Sequence, residues 1–237
     1  MRAVFAGFLL FACAAAQAAD MIDLRYQDSE DGAPAYQTRI LVTERYLRMD
    51  DGQDDADFVL FDRKTGKLVN VLRDRKMLMA MRDAKLPKPP AHAYRVEKKV
   101  MPVREGTARV QVLADGKLCS ETVAASGLYP DAARALMEYK AALAYTQWTT
   151  YRNTPAELRQ DCDLVHHVWQ TDMALSQGLP LEERDYAGRV RQYVSGGKRK
   201  LRPELFDLPK DYELLELPEL DGGGTGNISQ PLAVQAR

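Results

Sequence analysis

Past its first sixteen residues the chain has no apolar run approaching the roughly 20 residues that a membrane-spanning helix needs. It also lacks an excess of charge of either sign: 33 Lys and Arg against 34 Asp and Glu leave a formal net charge of −1. That balance removes the basic footprint on which nucleic-acid binding depends. Cysteine is scarce, with three in 237 residues and no C-x-x-C pair, so nothing supports a redox-active dithiol. There is no H-E-x-x-H, no G-x-S-x-G elbow and no convincing serine or cysteine triad, so no catalytic residue is assigned. The glycine cluster Asp221-Gly222-Gly223-Gly224-Thr225-Gly226-Asn227 has neither the preceding strand nor the lysine of a phosphate-binding loop. No cofactor is expected.

What is present begins at the N-terminus. Arg2 precedes an apolar run from Ala3 to Ala16, followed by Ala16-Gln17-Ala18, the pattern of a bacterial secretory signal peptide over residues 1–18. The predicted mature chain starts near Ala19 or Asp20 and is exported to the periplasm. Leu10-Phe11-Ala12-Cys13 offers a rival reading, a lipoprotein processing site with Cys13 carrying the lipid. With Cys13 gone, Cys119 and Cys162 remain, and an oxidising compartment makes a disulfide between them the expectation. The length of the remaining chain fits one hydrophobic core, so residues 19–217 are expected to be a single domain and residues 218–237 a disordered tail.

Along the chain, period-two alternation and turn residues predict a meander. Strands are expected at 21–27, 36–49, 58–62, 68–73, 76–81, 94–100, 107–113 and 117–123, with turns at Asp51-Gly52, Thr65-Gly66 and Asp115-Gly116. Lys85 to Pro90 interrupts this pattern, because proline cannot donate to a ladder, and is read as a crossover. Asp50 to Asp57 is read as a solvated acidic turn, since the spacing of a calcium loop is missing.

A helix is predicted from Pro130-Asp131 to Arg152, with Asp131 as its cap and an alanine-rich buried face. A second begins at Thr154-Pro155-Ala156-Glu157, where the spacing suits a capping box, and would carry Leu158, Cys162, Val165 and Trp169 on one side. A hairpin over 179–185 and 189–195, a basic loop at 196–200 and an apolar closing segment at 205–212 complete the reading.

Two side-chain groups invite chemistry. Cys162 and His166 lie one helical turn apart, but a disulfide consumes the cysteine and no third ligand is near, so His166 and His167 read as an ordinary pair. Met77, Met79 and Met81 share one strand face, and thioethers are soft ligands suited to copper. Same-face positions are roughly 6.6 Å apart along a strand, so flexible filling of an apolar face is preferred over an ion site.

The block "YLRMDDG", "FVLFDRKTGKLVNVL" and "RKMLMAM", within successive antiparallel strands and followed by a helical section, resembles the outer-membrane lipoprotein carrier (LolA-like) superfamily. The resemblance implies an α+β fold: a curved antiparallel sheet, an unclosed half-barrel, covered on its concave side by helices. It further implies that Leu47, Met49, Phe58, Leu60, Met77, Met79 and Met81 face a cavity whose ligand is a lipid or a lipoprotein acyl chain. The disulfide, the glycine-rich tail and the long Lys85 to Pro90 connection depart from that pattern. The alternative expectation is an envelope interaction protein with a packed core and no ligand, and a lesser one is copper binding through the three methionines.

Overall fold

In the computed structural model, which describes residues 20–81, 84–89 and 94–216, twelve strands join in one open sheet. The signal segment, Cys13 and the tail from residue 217 onward lie outside the described residues. The strands are β1 (Asp20–Ser29), β2 (Tyr36–Val42), β3 (Tyr46–Asp50), β4 (Phe58–Asp62), β5 (Leu68–Leu72) and β6 (Met77–Ala80). They continue with β7 (Val96–Arg104), β8 (Thr107–Ala114), β9 (Lys117–Ala125), β10 (Leu179–Asp185), β11 (Val190–Lys200) and β12 (Glu213–Glu216). Their order is β12-β6-β5-β4-β3-β2-β1-β11-β10-β9-β8-β7.

Two meanders thus flank the central β1–β11 pair, and the architecture is α+β. It departs from a strictly antiparallel sheet at one edge, where β12 pairs with β6 in parallel, Glu213 opposite Met77 through Glu216 opposite Ala80. The stretch 36–49, expected as one strand, is two, because Thr43 to Arg45 turns the chain; the Tyr46 amide donates to Thr43 Oγ1 at 2.8 Å. The expected basic loop at 196–200 is strand. Gly197 and Lys198 pair with Asp23 and Ile22, and Gly196 fits beneath the Tyr129 and Tyr193 rings, where no Cβ has room.

Alternation divides the sheet into two apolar faces. On one, Leu24, Tyr26, Ile40, Val42, Leu47, Phe61 and Leu68 pack against Ala132, Ala135 and Leu136 of α1 (Pro130–Asn153). On the other, Met21, Leu41, Phe58, Leu60, Val71 and Leu78 pack beneath Leu205 and Phe206. Phe206 stacks on Tyr46, ring centroids 5.8 Å apart. The strands between β1 and β6 are therefore covered on both sides.

Alanines at the helix surface let α1 lie close to the sheet, as the flat apolar stripe predicts. Tyr129, in the left-handed region, precedes the helix, so Asp131 is not its cap. Asp131 instead accepts from Arg63, 3.0 Å to each oxygen, while Arg63 Nε donates to Glu138 Oε2 and Nη1 to the Thr43 carbonyl, both at 2.7 Å. One guanidinium thereby ties two turns of α1 to the β2–β3 turn.

The second helix is shorter and later than the sequence suggests. A 3-10 turn at Ala156–Leu158 leaves Leu158 exposed, and α2 (Asp161–Leu164) runs directly into a π-helical turn, Val165–Trp169. Thr154 and Glu157 do not cap it; the Gln160 amide donates to Asp163 Oδ2 at 3.2 Å. Cys162 sits in α2 and is bonded to Cys119 of β9, so the disulfide fastens this helical segment to the sheet. Gly178 then adopts φ +132°, a conformation other residues rarely take, because any side chain there would meet the Ala125 carbonyl as β10 joins β9.

Candidate functional site

Leu47, Met49 and Met81 lie on the α1 side of the sheet, Leu47 fully buried and the two methionines packed around it. Phe58 and Leu60 point the other way, into the cluster under Leu205 and Phe206. The seven residues expected to face one cavity are therefore divided between two faces. Strand register decides this: Leu47 pairs with Phe61 and Met49 with Val59, which turns Phe58 and Leu60 away from them. Met77 and Met79 alternate with Leu78 and so share the α1 side with Met81; both are half-buried. Met79 is paired to Asn70 and Leu215, and Met77 to Leu72 and Glu213.

Of the seven, Met81 borders a recess. This recess, of about 140 Å³, is also lined by Gly66 and Leu68 of the β4–β5 hairpin, Ala84 and Leu86 of the crossover, and Ala141, Ala142 and Tyr145 of α1. The Met81 amide donates to the Leu68 carbonyl at 2.8 Å, which fixes the backbone at the floor of the recess. Thr146 Oγ1 lies 4.0 Å from the Met81 sulfur, at the limit of a weak hydrogen bond. The crossover forms a strap along the α1 side, held where Trp169 Nε1 donates to the Pro87 carbonyl at 3.1 Å. Its prolines restrict the backbone before any ligand arrives. Alternation in the strands pointed to Met81, but the helix and strap walls come from residues distant in sequence, and no local pattern announces them.

A second concentration of polar groups lies under the helical layer. Cross-strand pairing sets Asp28, Arg191, Glu183 and Thr122 in one row across β1, β11, β10 and β9. Arg191 donates to both oxygens of Asp28 at 2.7 and 2.8 Å, and Thr38 Oγ1 donates to Asp28 Oδ2 at 2.6 Å. Lys140 of α1 donates to Glu183 Oε1 at 3.2 Å, and His166 Nε2 from the π-helical turn lies 3.4 Å from the same oxygen. Burial, with Lys140 adding to it, holds the His166 imidazole down at about 3 and His167 at about 4, so both are neutral near pH 7. Burial alone would raise Glu183, but Lys140 and Arg191 outweigh it and keep this carboxylate ionised, at about 2. Every charge in the row has an opposite partner, and the chemistry it performs is to fasten the helices to the sheet. The histidine pair therefore belongs to the interior, and Cys162, consumed by the disulfide, offers no thiolate beside it.

This arrangement carries a pH dependence. A histidine whose folded value lies below its unfolded value binds more protons when unfolded, so its contribution is complete above about pH 6.5 and is lost as pH falls toward 3 or 4. Glu183 acts in the same direction from about 4.5 down to about 2. Each of the two histidines is expected to account for a fall of about 2 kcal/mol in stability between pH 7 and pH 5. Urea midpoints measured across that range test it: His166→Gln should flatten the slope, and a wild-type profile flat from pH 7 to pH 5 would reject the assignment.

The acidic turn also differs from expectation. Asp50 is buried, accepting Arg39 Nε at 2.7 Å, Arg39 Nη2 at 2.7 Å, Arg48 Nε at 2.6 Å and the Gly52 amide at 2.9 Å. Arg48 also donates to the Leu205 carbonyl at 2.6 Å and lies 4.0 Å from the Phe58 ring centroid. The signal in the sequence was Arg48-Met49-Asp50, two charges on one face of a strand whose other residues are apolar.

No known protein family matches the chain, and no curated protein matches it. Among solved structures, PNGF-II in the P21 space group aligns at 14% identity with a TM-score of 0.37, over 84% of this chain and 32% of that one. PNGF-II in the C2 space group aligns at 14% identity with a TM-score of 0.32, over 86% and 32%. The chain thus spans about a third of PNGF-II, and a likeness at this level lends nothing to the reading of fold or activity.

Proposed function

We propose that the protein is an exported, LolA-like binding module that shelters an apolar group by reversible burial, without covalent chemistry. The observation that carries this reading is the recess beneath the strap, whose walls are Leu68, Met81, Ala84, Leu86, Ala142 and Tyr145. Support also comes from the open sheet with helices on one face, which agrees with the coarse shape of a half-barrel carrier. The size of the recess narrows the ligand. At about 140 Å³ its volume, though not its partly open and partly polar wall, is close to that of the cavities of about 150 Å³ that accept benzene, so it receives one end of a chain and not a whole acyl group. A phenyl-sized group carries roughly 150 Å² of apolar surface, about 4 kcal/mol at 25 cal/mol per Å². That is millimolar affinity by itself.

The reading is tested with 1-hexanol, followed through the carbon-13-labelled methyl of Met81. A saturable shift of that methyl is expected, reduced at least about tenfold in affinity by Ala141→Phe, which fills the mouth from an exposed position on α1. A Met81 methyl that does not respond, or responds equally in the variant, rejects the recess as a site. A second reading, an envelope interaction protein, draws on the uptake of Leu47, Phe58 and Leu60 into the packed core. It also draws on the edge strand β7, where Val100, Met101 and Val103 are exposed. Specific, stoichiometric capture of an envelope partner, lost on Val103→Lys, would favour it.

A further inference from the structure

Exposed apolar side chains collect at the two ends of the sheet. Of the nine large apolar residues that stand exposed among the described residues, five lie on the terminal strands: Val100, Met101 and Val103 on β7, Leu214 and Leu215 on β12. Each of these strands has one strand neighbour among the described residues. Their charges are of opposite sign. β7 carries Lys98, Lys99 and Arg104 against one acid, Glu97, which already lies 3.6 Å from Arg95. β12 is Glu213-Leu214-Leu215-Glu216, acidic at both ends and without a basic residue.

The backbones of the two edges match as well. The Asp115 amide donates to the Arg95 carbonyl, so Glu97, Lys99 and Met101 turn their amides and carbonyls toward β8, while Val96, Lys98 and Val100 turn theirs outward. Pro102, which has no N–H, is the next outward position and ends the run of donors. On β12 the Glu213 amide donates to the Lys76 carbonyl, so Leu214 and Glu216 are the residues that turn outward.

We propose that β12 of one copy of this chain pairs antiparallel with β7 of a second copy, so that the protein self-associates head to tail. With Leu214 opposite Val100, Glu216 stands opposite Lys98 and Glu213 lies diagonal to Lys99. In that register the outward groups of Leu214 and Glu216 meet the outward groups of Val100 and Lys98. Apolar meets apolar, acid meets base and donor meets acceptor at once. Like edges repel, so the lysines that discourage pairing of β7 with another β7 are the groups that select β12. The contact is heterologous and leaves one free edge of each kind on the pair. Neither strand lines the recess, so the inference stands apart from the reading of that recess as a ligand site.

Sedimentation velocity and amide hydrogen exchange test it. The sedimentation coefficient of the purified protein is expected to rise between about 10 µM and about 500 µM. Lys98→Glu/Lys99→Glu and Glu213→Lys/Glu216→Lys, all at exposed positions, should each weaken association at least about tenfold. A chain carrying all four substitutions has complementary edges again and should recover it. In the wild-type protein, exchange at Lys98, Val100, Leu214 and Glu216 should slow at least about fivefold at the higher concentration, while Lys99 and Met101, already bonded to β8, stay unchanged. A wild-type protein that is monomeric throughout, or a fourfold variant that fails to associate, overturns the proposal. Self-association that survives Glu213→Lys/Glu216→Lys overturns it in favour of a contact made without β12.

Discussion

Asp50→Asn is expected to destabilise the protein by about 3–5 kcal/mol, the usual cost of breaking a buried ion pair by removing one partner. Asp50 is the anion for two buried guanidiniums, those of Arg39 and Arg48, and it also accepts the Gly52 amide. Arg39 keeps a second carboxylate, Asp54, at 2.7 Å. Arg48 does not. Its remaining acceptors are the Leu205 carbonyl at 2.6 Å and the Asp54 carbonyl at 3.1 Å, and burial, with Arg39 and Arg73 adding to it, already lowers its proton affinity. The asparagine amide would then face a cation with its own donors. Thermal unfolding should fall by about 10 °C or more for a domain of this size. Arg48→Met in the Asp50→Asn background should recover part of the loss, because it removes the charge left without a counterion and keeps the apolar contact to Phe58. A loss below about 1 kcal/mol for the single variant would show that water reaches this site and that the network is a surface feature.

Removing the disulfide is the second large effect. Cys119 and Cys162 are 43 residues apart, and in the chain-entropy account closing a loop of that length contributes about 4 kcal/mol. The expected result is a loss of about that size for the Cys119→Ala/Cys162→Ala protein in chemical denaturation, relative to the oxidised wild type. Both sulfurs are buried among Val110, Val112, Ala114 and Val165, so reductant should act only on protein that has opened. The bond also holds α2 and the π-helical turn against β9, and through that turn it keeps His166 beside Glu183. The double variant should therefore show a shallower dependence on pH between 7 and 5 as well as lower stability. Equal stability of the oxidised and cysteine-free proteins would mean that Val165 and Leu164 dock the segment unaided. A disulfide at this position is compatible with an oxidising compartment.

Several of the differences between sequence and structure have one cause. Asp50 looked like the first residue of a solvated acidic turn because aspartates beside glycine usually are. What decided otherwise was the pairing of β2 with β3, which sets Arg39 directly opposite Asp50. The candidates Phe58 and Leu60 were legible as buried strand residues, yet which face they occupy depends on register, and a shift of one residue exchanges the faces. The strand β12 is short and exposed, Glu213 to Glu216, and is held by its parallel ladder to β6 more than by any apolar pattern of its own. The π-helical turn escaped notice because its residues, Val165 to Trp169, have the same apolar spacing an α-helix would have.

By itself the sequence determined the meander, most strand positions, the alanine-faced helix, the pairing of Cys119 with Cys162 and the absence of an excess charge. These are properties of period, punctuation and composition, which are local or additive along the chain. Tertiary structure alone decided which face each strand residue occupies, that Arg39, Arg48 and Asp50 form one buried network, and that Lys140 and His166 meet Glu183. It alone drew Leu68, Met81, Leu86, Ala142 and Tyr145 around one recess. Those juxtapositions join positions tens of residues apart through strand register and helix docking, and no local pattern in the chain encodes them.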